Sequence, residues 1–230
     1  MKYCIVNGDD FGAGRGINRG ILEAHQRGIL TSTSLMVNMP GTMEAVRMAR
    51  ATSSLSVGIH FNLTNEGDGP VVTFDDADAC AAELRLQLQR FSDWMGCPPT
   101  HLDAHHNVHR DPRLRPHFLE MAREHDVPLR ENSPVRYFSS FYGQWGGQTH
   151  FEQIDTSSLV HMLETEVGEG FTEISCHPGY VDADFDSCYA VEREAELATL
   201  CDPRVRQALH DLGIQLIGYR DLGQILKEAS

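Results

Sequence analysis

A cluster of four histidines lies near the middle of the chain. Residues 101–109 read His-Leu-Asp-Ala-His-His-Asn-Val-His, and imidazole nitrogen is a common protein ligand of divalent metals such as zinc. Neighbouring side chains of an extended segment point to opposite sides, so if His105 points into a site, His106 is expected to point away. His101 is expected to be structural, and His109 to be a metal ligand, a partner of a ligand or a substrate contact.

Two carboxylates and a further imidazole follow other apolar segments. Asp9 and Asp10 come directly after the first apolar run, and His60 ends the third. Carboxylate and imidazole together can hold a divalent cation that activates water. Both carboxylates can serve one site only if the strand has already ended, and Gly8 favours such a turn. Each signal also has a plainer explanation: a helix cap for the aspartates, and a buried core position for His60.

Strand-like runs alternate with helical patterns along the chain, which is typical of parallel β-α units. Seven runs are predicted to be strands: 2–7, 30–37, 55–61, 100–104, 127–130, 171–176 and 214–218. If they close, the fold is a distorted TIM-like (β/α) barrel of about seven parallel strands, in the α/β class. The residues that could do chemistry then follow strand ends, on the face where such barrels carry active sites. These residues are Asp9, Asp10, His60, His105, His109, Arg130 and His177.

Two segments match neither a helix period nor a strand period. Residues 65–78 are rich in Gly and acidic side chains and predict a long surface loop. Residues 131–154 hold several Tyr, Phe and Trp side chains among Ser and Gly. Such an aromatic, irregular insert could line a sugar site.

Length and composition fit an ordinary globular protein. The 230 residues, 41% hydrophobic and 23% charged, are expected to form one domain, 1–230, because no Pro-, Gly- or Ser-rich stretch separates two periodic halves. The formal charge of −14 argues against a nucleic-acid partner, which needs clustered Lys and Arg. No apolar run approaches a membrane span and the first strand begins at once, so a cytoplasmic protein is expected. Six scattered cysteines without zinc-site spacing favour reduced thiols.

Cys176 and His177 are adjacent and could suggest a thiol nucleophile with its base. Neighbouring residues of a strand seldom face each other, so this catalytic pair is disfavoured. His177 alone, as an acid, is the better hypothesis.

Four ordered motifs together resemble the YdjC-like carbohydrate deacetylases, a family that includes the chitooligosaccharide deacetylases. The motifs are residues 6–12, 58–64, 101–109 and 176–179, and the resemblance continues to residues 218–222. It implies a (β/α) barrel related to polysaccharide deacetylases. It also implies one divalent metal ion, zinc or magnesium, with a defined set of site residues. The metal ligands would be Asp10, His60 and His105, the general base Asp9 and the general acid His177.

This resemblance implies a metal-dependent hydrolase that removes an N-acetyl group from an amino sugar or short oligosaccharide, such as a chitooligosaccharide, and releases acetate. Arg130 is expected to orient Asp9, as an arginine does in polysaccharide deacetylases, with a surface ion pair as the alternative. His109 and Asn62 are expected to bind the substrate. The expected partner is a small carbohydrate, with no nucleic acid and no membrane, and the chain could form a homodimer.

Two other functions compete with this one. A metal-dependent phosphoesterase on a similar barrel would also use Asp and His at strand ends. It would need more ligands and more basic residues, whereas only Arg110 and Arg130 stand near the motifs. A sugar-binding protein that keeps the metal but has lost catalysis is the non-enzymatic alternative. The presence of both Asp9 and His177 speaks against it.

Overall fold

The computed structural model describes residues 1–65, 69–181 and 187–228. Its strands are β1 (Lys2–Phe11), β2 (Ser32–Leu35), β3 (Ser56–Phe61), β4 (Leu102–Ala104), β5 (Val135–Phe138), β6 (Gln144–Trp145), β7 (Gln148–Thr149), β8 (Gly170–Cys176) and β9 (Ile214–Leu216). Its helices are α1 (Arg15–Arg27), α2 (Thr42–Ala51), α3 (Ala77–Met95), α4 (Arg115–His125), α5 (Thr156–Glu166), α6 (Val191–Leu200), α7 (Pro203–Asp211) and α8 (Tyr219–Glu228). Short 3₁₀ turns cover His105–Arg110 and Phe151–Gln153.

Seven strands form one parallel sheet, in the order β4-β3-β2-β1-β8-β5, with β9 beside β1. Along one edge, β1 pairs with β8 from Lys2 to Gly8. Along its other edge β1 pairs first with β9 and then, further on, with β2. The sheet curls into a half-barrel, which confirms the expected barrel-like α/β fold.

The central strand is buried on both faces. Cys4, Ile5 and Val6 are fully buried, as expected for a parallel sheet that helices cover on both sides. On α1, Ile17 and Ile21 lie at helical spacing and are also buried. Packing against helices therefore fixes β1 in the sheet and with it the position of the carboxylates at its end.

One predicted strand is wrong. Residues 127–130 make only a single bridge, between Leu129 and Leu102. Pro128 lacks the N–H that a longer ladder would require. The seventh strand of the sheet is instead β5, from the segment that matched neither period.

Part of the same aromatic segment folds into a hairpin. Strands β6 and β7 pair antiparallel around Gly146 and Gly147, which have φ values of 60° and 75°. Two successive positive φ values are typical of a tight two-residue hairpin turn, and a Gly-Gly pair is a known signal for one.

The predicted loop 65–78 ends two residues earlier than expected. Helix α3 begins at Ala77, where the carboxylate of Asp76 accepts a hydrogen bond from the backbone N–H of Ala79 at 2.9 Å. Residues 66–68 of this segment lie outside the described residues. In the part of the chain that is described, no helix has the length and apolar character needed to cross a bilayer.

Candidate active site

The carboxyl ends of the strands surround a cavity of about 260 Å³. Asp9 and Asp10 reach it from β1, His60 from β3, His105 from the turn after β4, and His177 from the segment after β8. These five side chains all line the cavity. Parallel α/β folds place ligands at this edge because the loops beyond the strands converge there.

A bulge in β1 brings both carboxylates to the same side. The expectation that the strand ends before the pair is wrong, because β1 continues to Phe11. Its register against β2 shifts between Gly8 and Phe11, and Asp10 has a φ of 67°. A bulge with one residue in the left-handed region interrupts the alternation of side chains. Asp9 and Asp10 can therefore face one cavity although they are neighbours in a strand.

Three buried ligand atoms converge on one point. Asp10 Oδ1 lies 3.2 Å from His60 Nε2 and 3.1 Å from His105 Nδ1, and the three atoms lie within 4.8 Å of one another. Ligands about 2.1 Å from a cation are separated by about 3.0 Å in an octahedron and about 3.4 Å in a tetrahedron. Asp10 Oδ1 also accepts no well-formed hydrogen bond from the described residues. Buried donor atoms with these separations fit a divalent cation.

Asp103 fixes the imidazole of His60. His60 Nδ1 lies 2.7 Å from Asp103 Oδ1, which leaves Nε2 facing Asp10. A carboxylate behind a ligand imidazole sets its tautomer and its orientation. Nε2 is therefore the nitrogen that would bind a cation, once the cation displaces the proton on it.

The turn after β4 orients His105. His106 and Asn107 both have a φ of 53°, so the chain leaves the extended conformation directly after Ala104. The expectation that His106 points away from the cavity is wrong, because side-chain alternation no longer applies beyond the end of the strand. His106 lines the cavity, its ring 3.9 Å from that of His105, and Thr64 Oγ1 lies 2.9 Å from His106 Nδ1.

Arg130 holds Asp9 with two hydrogen bonds. Its Nη1 and Nη2 donate to Asp9 Oδ2 and Oδ1, each at 2.8 Å. The guanidinium also contacts Glu173 at 2.6 Å and Asp103 at 3.0 Å. Arg130 is only 1% exposed, so a surface ion pair is excluded. Burial opposes the charge of Asp9, but Arg130 outweighs it and holds the pKa of Asp9 below its ordinary value.

Asp10 is held by a different arginine. Arg193 Nη2, from α6, donates to Asp10 Oδ2 at 2.7 Å. Burial disfavours a charged Asp10, but Arg193 and the imidazoles of His60 and His105 hold its pKa well below the ordinary value. Asp10 is therefore a carboxylate at neutral pH, with Oδ1 directed towards the two imidazoles.

His177 lies on the other side of the cavity, among aromatic rings. Its side chain is 20% exposed and lies edge-on to Tyr142 and Tyr189, with ring centroids 5.7 Å and 5.4 Å away. Glu196 of α6 accepts a hydrogen bond from the backbone N–H of His177, and its carboxylate lies 3.9 Å from His177 Nδ1. The backbone of His177 is therefore held by Glu196, and its imidazole is accessible from the cavity.

Cys176 points away from His177, into the sheet. It is fully buried, and its Sγ donates to the carbonyl oxygen of Asn7 at 3.2 Å. Burial raises the pKa of this thiol well above its ordinary value. A thiol that stays protonated and buried is not a nucleophile.

The two expected substrate contacts do not line the cavity. His109 is 1% exposed and lies 3.1 Å from Glu131 Oε2 through its Nε2. Asn62 is fully buried, where its backbone N–H donates to Gln87 and its side-chain amide donates to Asn65.

Several site residues were not identified from the sequence. Glu173 had a usable signal, because it is the one charged residue of a buried strand, and Asp103 lay within the histidine cluster. Arg193 and Glu196 had no such signal, because charged residues are common on helices and most of them are exposed. Only the packing of α6 in the folded protein buries these two.

Comparison with known proteins supports one family. The sequence model of the family described as YdjC-like protein matches residues 3–211. A carbohydrate deacetylase of Geobacillus stearothermophilus is 35% identical over 96% of this chain and 98% of its own length. A chitooligosaccharide deacetylase of Proteus mirabilis is 32% identical, over 95% of this chain and 98% of its own length.

Solved structures show the same fold. An Enterococcus faecalis protein described as a cellobiose-phosphate cleavage protein has a TM-score of 0.82 and 27% identity, over 96% of this chain and 98% of that one. A family 4 acetyl xylan esterase of Clostridium thermocellum, solved with a cobalt ion, has a TM-score of 0.60 and 14% identity, over 97% of this chain and 91% of that one. From the family match and the identities over nearly the whole length, the chain belongs to the YdjC-like protein family.

Proposed function

We propose that this chain is a metal-dependent carbohydrate N-deacetylase. It removes an N-acetyl group from an amino sugar or short oligosaccharide, such as a chitooligosaccharide, and releases acetate. The observation that carries this proposal is the convergence of Asp10, His60 and His105 on one point, beside Asp9, which Arg130 holds apart. The curated relatives, named as carbohydrate and chitooligosaccharide deacetylases, support the same reaction.

One divalent cation, held by Asp10, His60 and His105, would supply Lewis acidity that acidifies water and polarises the acetyl carbonyl. Two imidazoles and one carboxylate suit zinc by ligand softness, and magnesium is the alternative. Both remain in the proposal, because the donor set is compatible with either ion.

Asp9 is the proton acceptor in this proposal. The two hydrogen bonds from Arg130 keep the carboxylate of Asp9 ionised and fix its orientation. It takes the proton of the attacking water as the new C–O bond forms. His177, across the cavity, gives a proton to the nitrogen as the C–N bond breaks. The products are acetate and a free amino sugar, so atoms and charge balance.

The phosphoesterase alternative fits the cavity less well. Among the described residues that line it, the arginines are Arg110 and Arg193. Both already contact carboxylates: Arg110 contacts Glu131 and Arg193 contacts Asp10. A phosphate would have to compete with these ion pairs, whereas a neutral acetamide would not.

Acetate release from N-acetylglucosamine oligosaccharides tests the reaction. The metal-loaded protein should release acetate, and a chelator should stop it. Asp9→Asn should lower kcat by about 10²- to 10⁴-fold, as loss of a general base does, while the metal content measured by elemental analysis stays unchanged. His60→Ala should lose both metal and activity.

Two results would contradict the assignment. Loss of metal from Asp9→Asn would mean that the base and ligand roles are exchanged. Phosphate release from sugar phosphates, with no acetate release from any acetylated sugar, would favour the phosphoesterase.

A further inference from the structure

The hairpin of residues 143–150 presents an aromatic side chain at the surface and directly follows Tyr142, which lines the cavity. Trp145, at the end of β6, is 49% exposed. One face of its indole stacks on the ring of His150, with ring centroids 3.6 Å apart and planes parallel. His150 Nδ1 is in turn 3.0 Å from Glu152 Oε1. Because His150 covers one face, the exposed area of Trp145 belongs to the opposite face and the rim.

A buried carboxylate fixes this hairpin to the body of the protein. Glu192, on α6, is 1% exposed. Its Oε1 accepts hydrogen bonds from Gln144 Nε2 at 3.2 Å and from Thr149 Oγ1. Gln144 Nε2 also donates to the carbonyl oxygen of Cys188 at 3.0 Å. Both strands of the hairpin are therefore attached to α6, and the indole is held in place before any ligand arrives.

The base of the hairpin belongs to the cavity wall. The backbone N–H of Gly143 donates to Tyr189 Oη at 2.9 Å. Tyr189 and Tyr142 stack face to face, with centroids 4.6 Å apart, and both line the cavity next to His177. Trp145 is three residues beyond Tyr142, so their Cα atoms are at most about 11 Å apart. A short oligosaccharide with one ring at the cavity can reach the indole.

The chemistry of the surface selects a sugar ring. The faces of a pyranose carry C–H bonds, which pack on a flat aromatic surface, while its hydroxyl groups stay in water. A rigid aromatic side chain gives such contact at a small cost in conformational entropy. Residues 143–150 include no Asp, Glu, Lys or Arg. A surface without these charges favours a neutral ligand.

We propose that the hairpin forms a second sugar subsite, in which the exposed face of Trp145 stacks on a ring of a neutral N-acetylated oligosaccharide beyond the ring held at the cavity. This inference rests on the proposed deacetylase function and adds the length preference of the same site. Substrates of two or more sugars use the subsite, and a monosaccharide does not reach it.

The test compares substrates of increasing length on the metal-loaded full chain. Trp145→Ala should lower kcat/KM for the N-acetylglucosamine trisaccharide by about 3- to 10-fold, the range expected for loss of one aromatic stacking contact. It should leave kcat/KM for the monosaccharide unchanged, and Trp145→Phe should recover part of the loss. Phe151→Ala is the matched control, because Phe151 is also half exposed but lies beyond the hairpin, in a separate surface groove with Ala195 and Arg204.

Calorimetric titration of the trisaccharide separates this inference from the function on which it rests. Weaker binding to Trp145→Ala, with binding to Phe151→Ala unchanged, would support the subsite even if no acetate were released. Equal kinetic losses for all substrate lengths, or unchanged trisaccharide binding and kinetics in Trp145→Ala, would overturn it. Absence of acetate release from every substrate by the unsubstituted protein would instead remove the proposed function.

Discussion

At the scale of single residues, two arginines divide the adjacent aspartates between them. Arg130 engages both oxygens of Asp9, whereas Arg193 engages only one oxygen of Asp10. The other oxygen of Asp10 remains directed at two imidazoles. In the proposed function, this difference gives two neighbouring carboxylates two roles: Asp10 would bind the cation, and Asp9 would act beside it as the base.

The pKa of His60 predicts how cation binding depends on pH. Burial disfavours its charge, but Asp103, Asp10 and Asp9 surround the ring and raise the pKa of His60 to about 10. A ligand imidazole must be neutral, so the cation displaces this proton. Apparent Zn²⁺ affinity should therefore rise about tenfold per pH unit from neutral pH and level off above a pH of about 10. Titration against a competing chelator in buffers of increasing pH measures this slope.

The variant Asp103→Asn checks the cause of that slope. It removes the carboxylate that both orients His60 and raises its pKa. Zn²⁺ affinity on the high-pH plateau, where no proton competes, should fall by about 10- to 100-fold, and the rise with pH should level off at a lower pH. Asp93→Asn, at an exposed position on α3, should match the unsubstituted protein. An affinity independent of pH in the unsubstituted protein would contradict this account.

At the scale of elements, the strands that alternate with clear helical patterns were predicted well, and the irregular ones were not. Apolar runs such as β1 and β8 stand out because both of their faces are buried. The short β5 has an exposed residue between buried ends and lies in a segment of mixed composition. Only its pairing with β8 makes it a strand, and tertiary pairing of this kind leaves little trace in a local pattern.

Part of the candidate site could be predicted from the sequence for a related reason. Residues at the carboxyl ends of strands, such as Asp10 and His60, can be placed on a common face by topology alone. The bulge in β1 and the turn after Ala104 depend on local backbone geometry that side-chain alternation does not predict. Arg193 comes from a helix, and its contact with Asp10 follows only from the way α6 packs.

The packing of α1 against the segment after β8 predicts an effect on catalysis from outside the cavity. A Cβ added at Gly20 would lie 2.4 Å from the Cα of Gly179, two residues beyond His177. Gly20→Ala should therefore displace this turn, destabilise the fold by about 1–3 kcal/mol and lower kcat with cation affinity retained. Urea unfolding and acetate release measure the two effects.

Gly223→Ala provides the matched helix substitution. Gly223 lies within α8, and an added Cβ there meets nothing within 4 Å. Replacing glycine by alanine inside a helix should stabilise the fold by about 0.5–1 kcal/mol and leave kcat unchanged. If both glycine variants behaved alike, close packing between α1 and the turn at Gly179 would not be what positions His177.

At the scale of the whole molecule, the cavity joins parts of the chain that are distant in sequence. The candidate ligands come from β1, from β3 and from the turn after β4, and β2 lies between the first two in the sheet. The formal charge of −14 makes the molecule attract cations and repel anionic substrates at low ionic strength. Both properties suit a site that holds a cation and accepts a neutral sugar.

Because the proposed cation would link three separate parts of the chain, its removal should affect the stability of the entire fold. A ligand that binds only the folded state at a hundred times its Kd adds about 2.7 kcal/mol of stability. For a chain of this size that corresponds to a rise in Tm of about 5–11 °C. Thermal unfolding with Zn²⁺, compared with chelator, should show this shift. His60→Ala should show none, whereas Asp9→Asn should keep it, because Asp9 is not a ligand. An equal shift in His60→Ala would place the stabilising cation at another site.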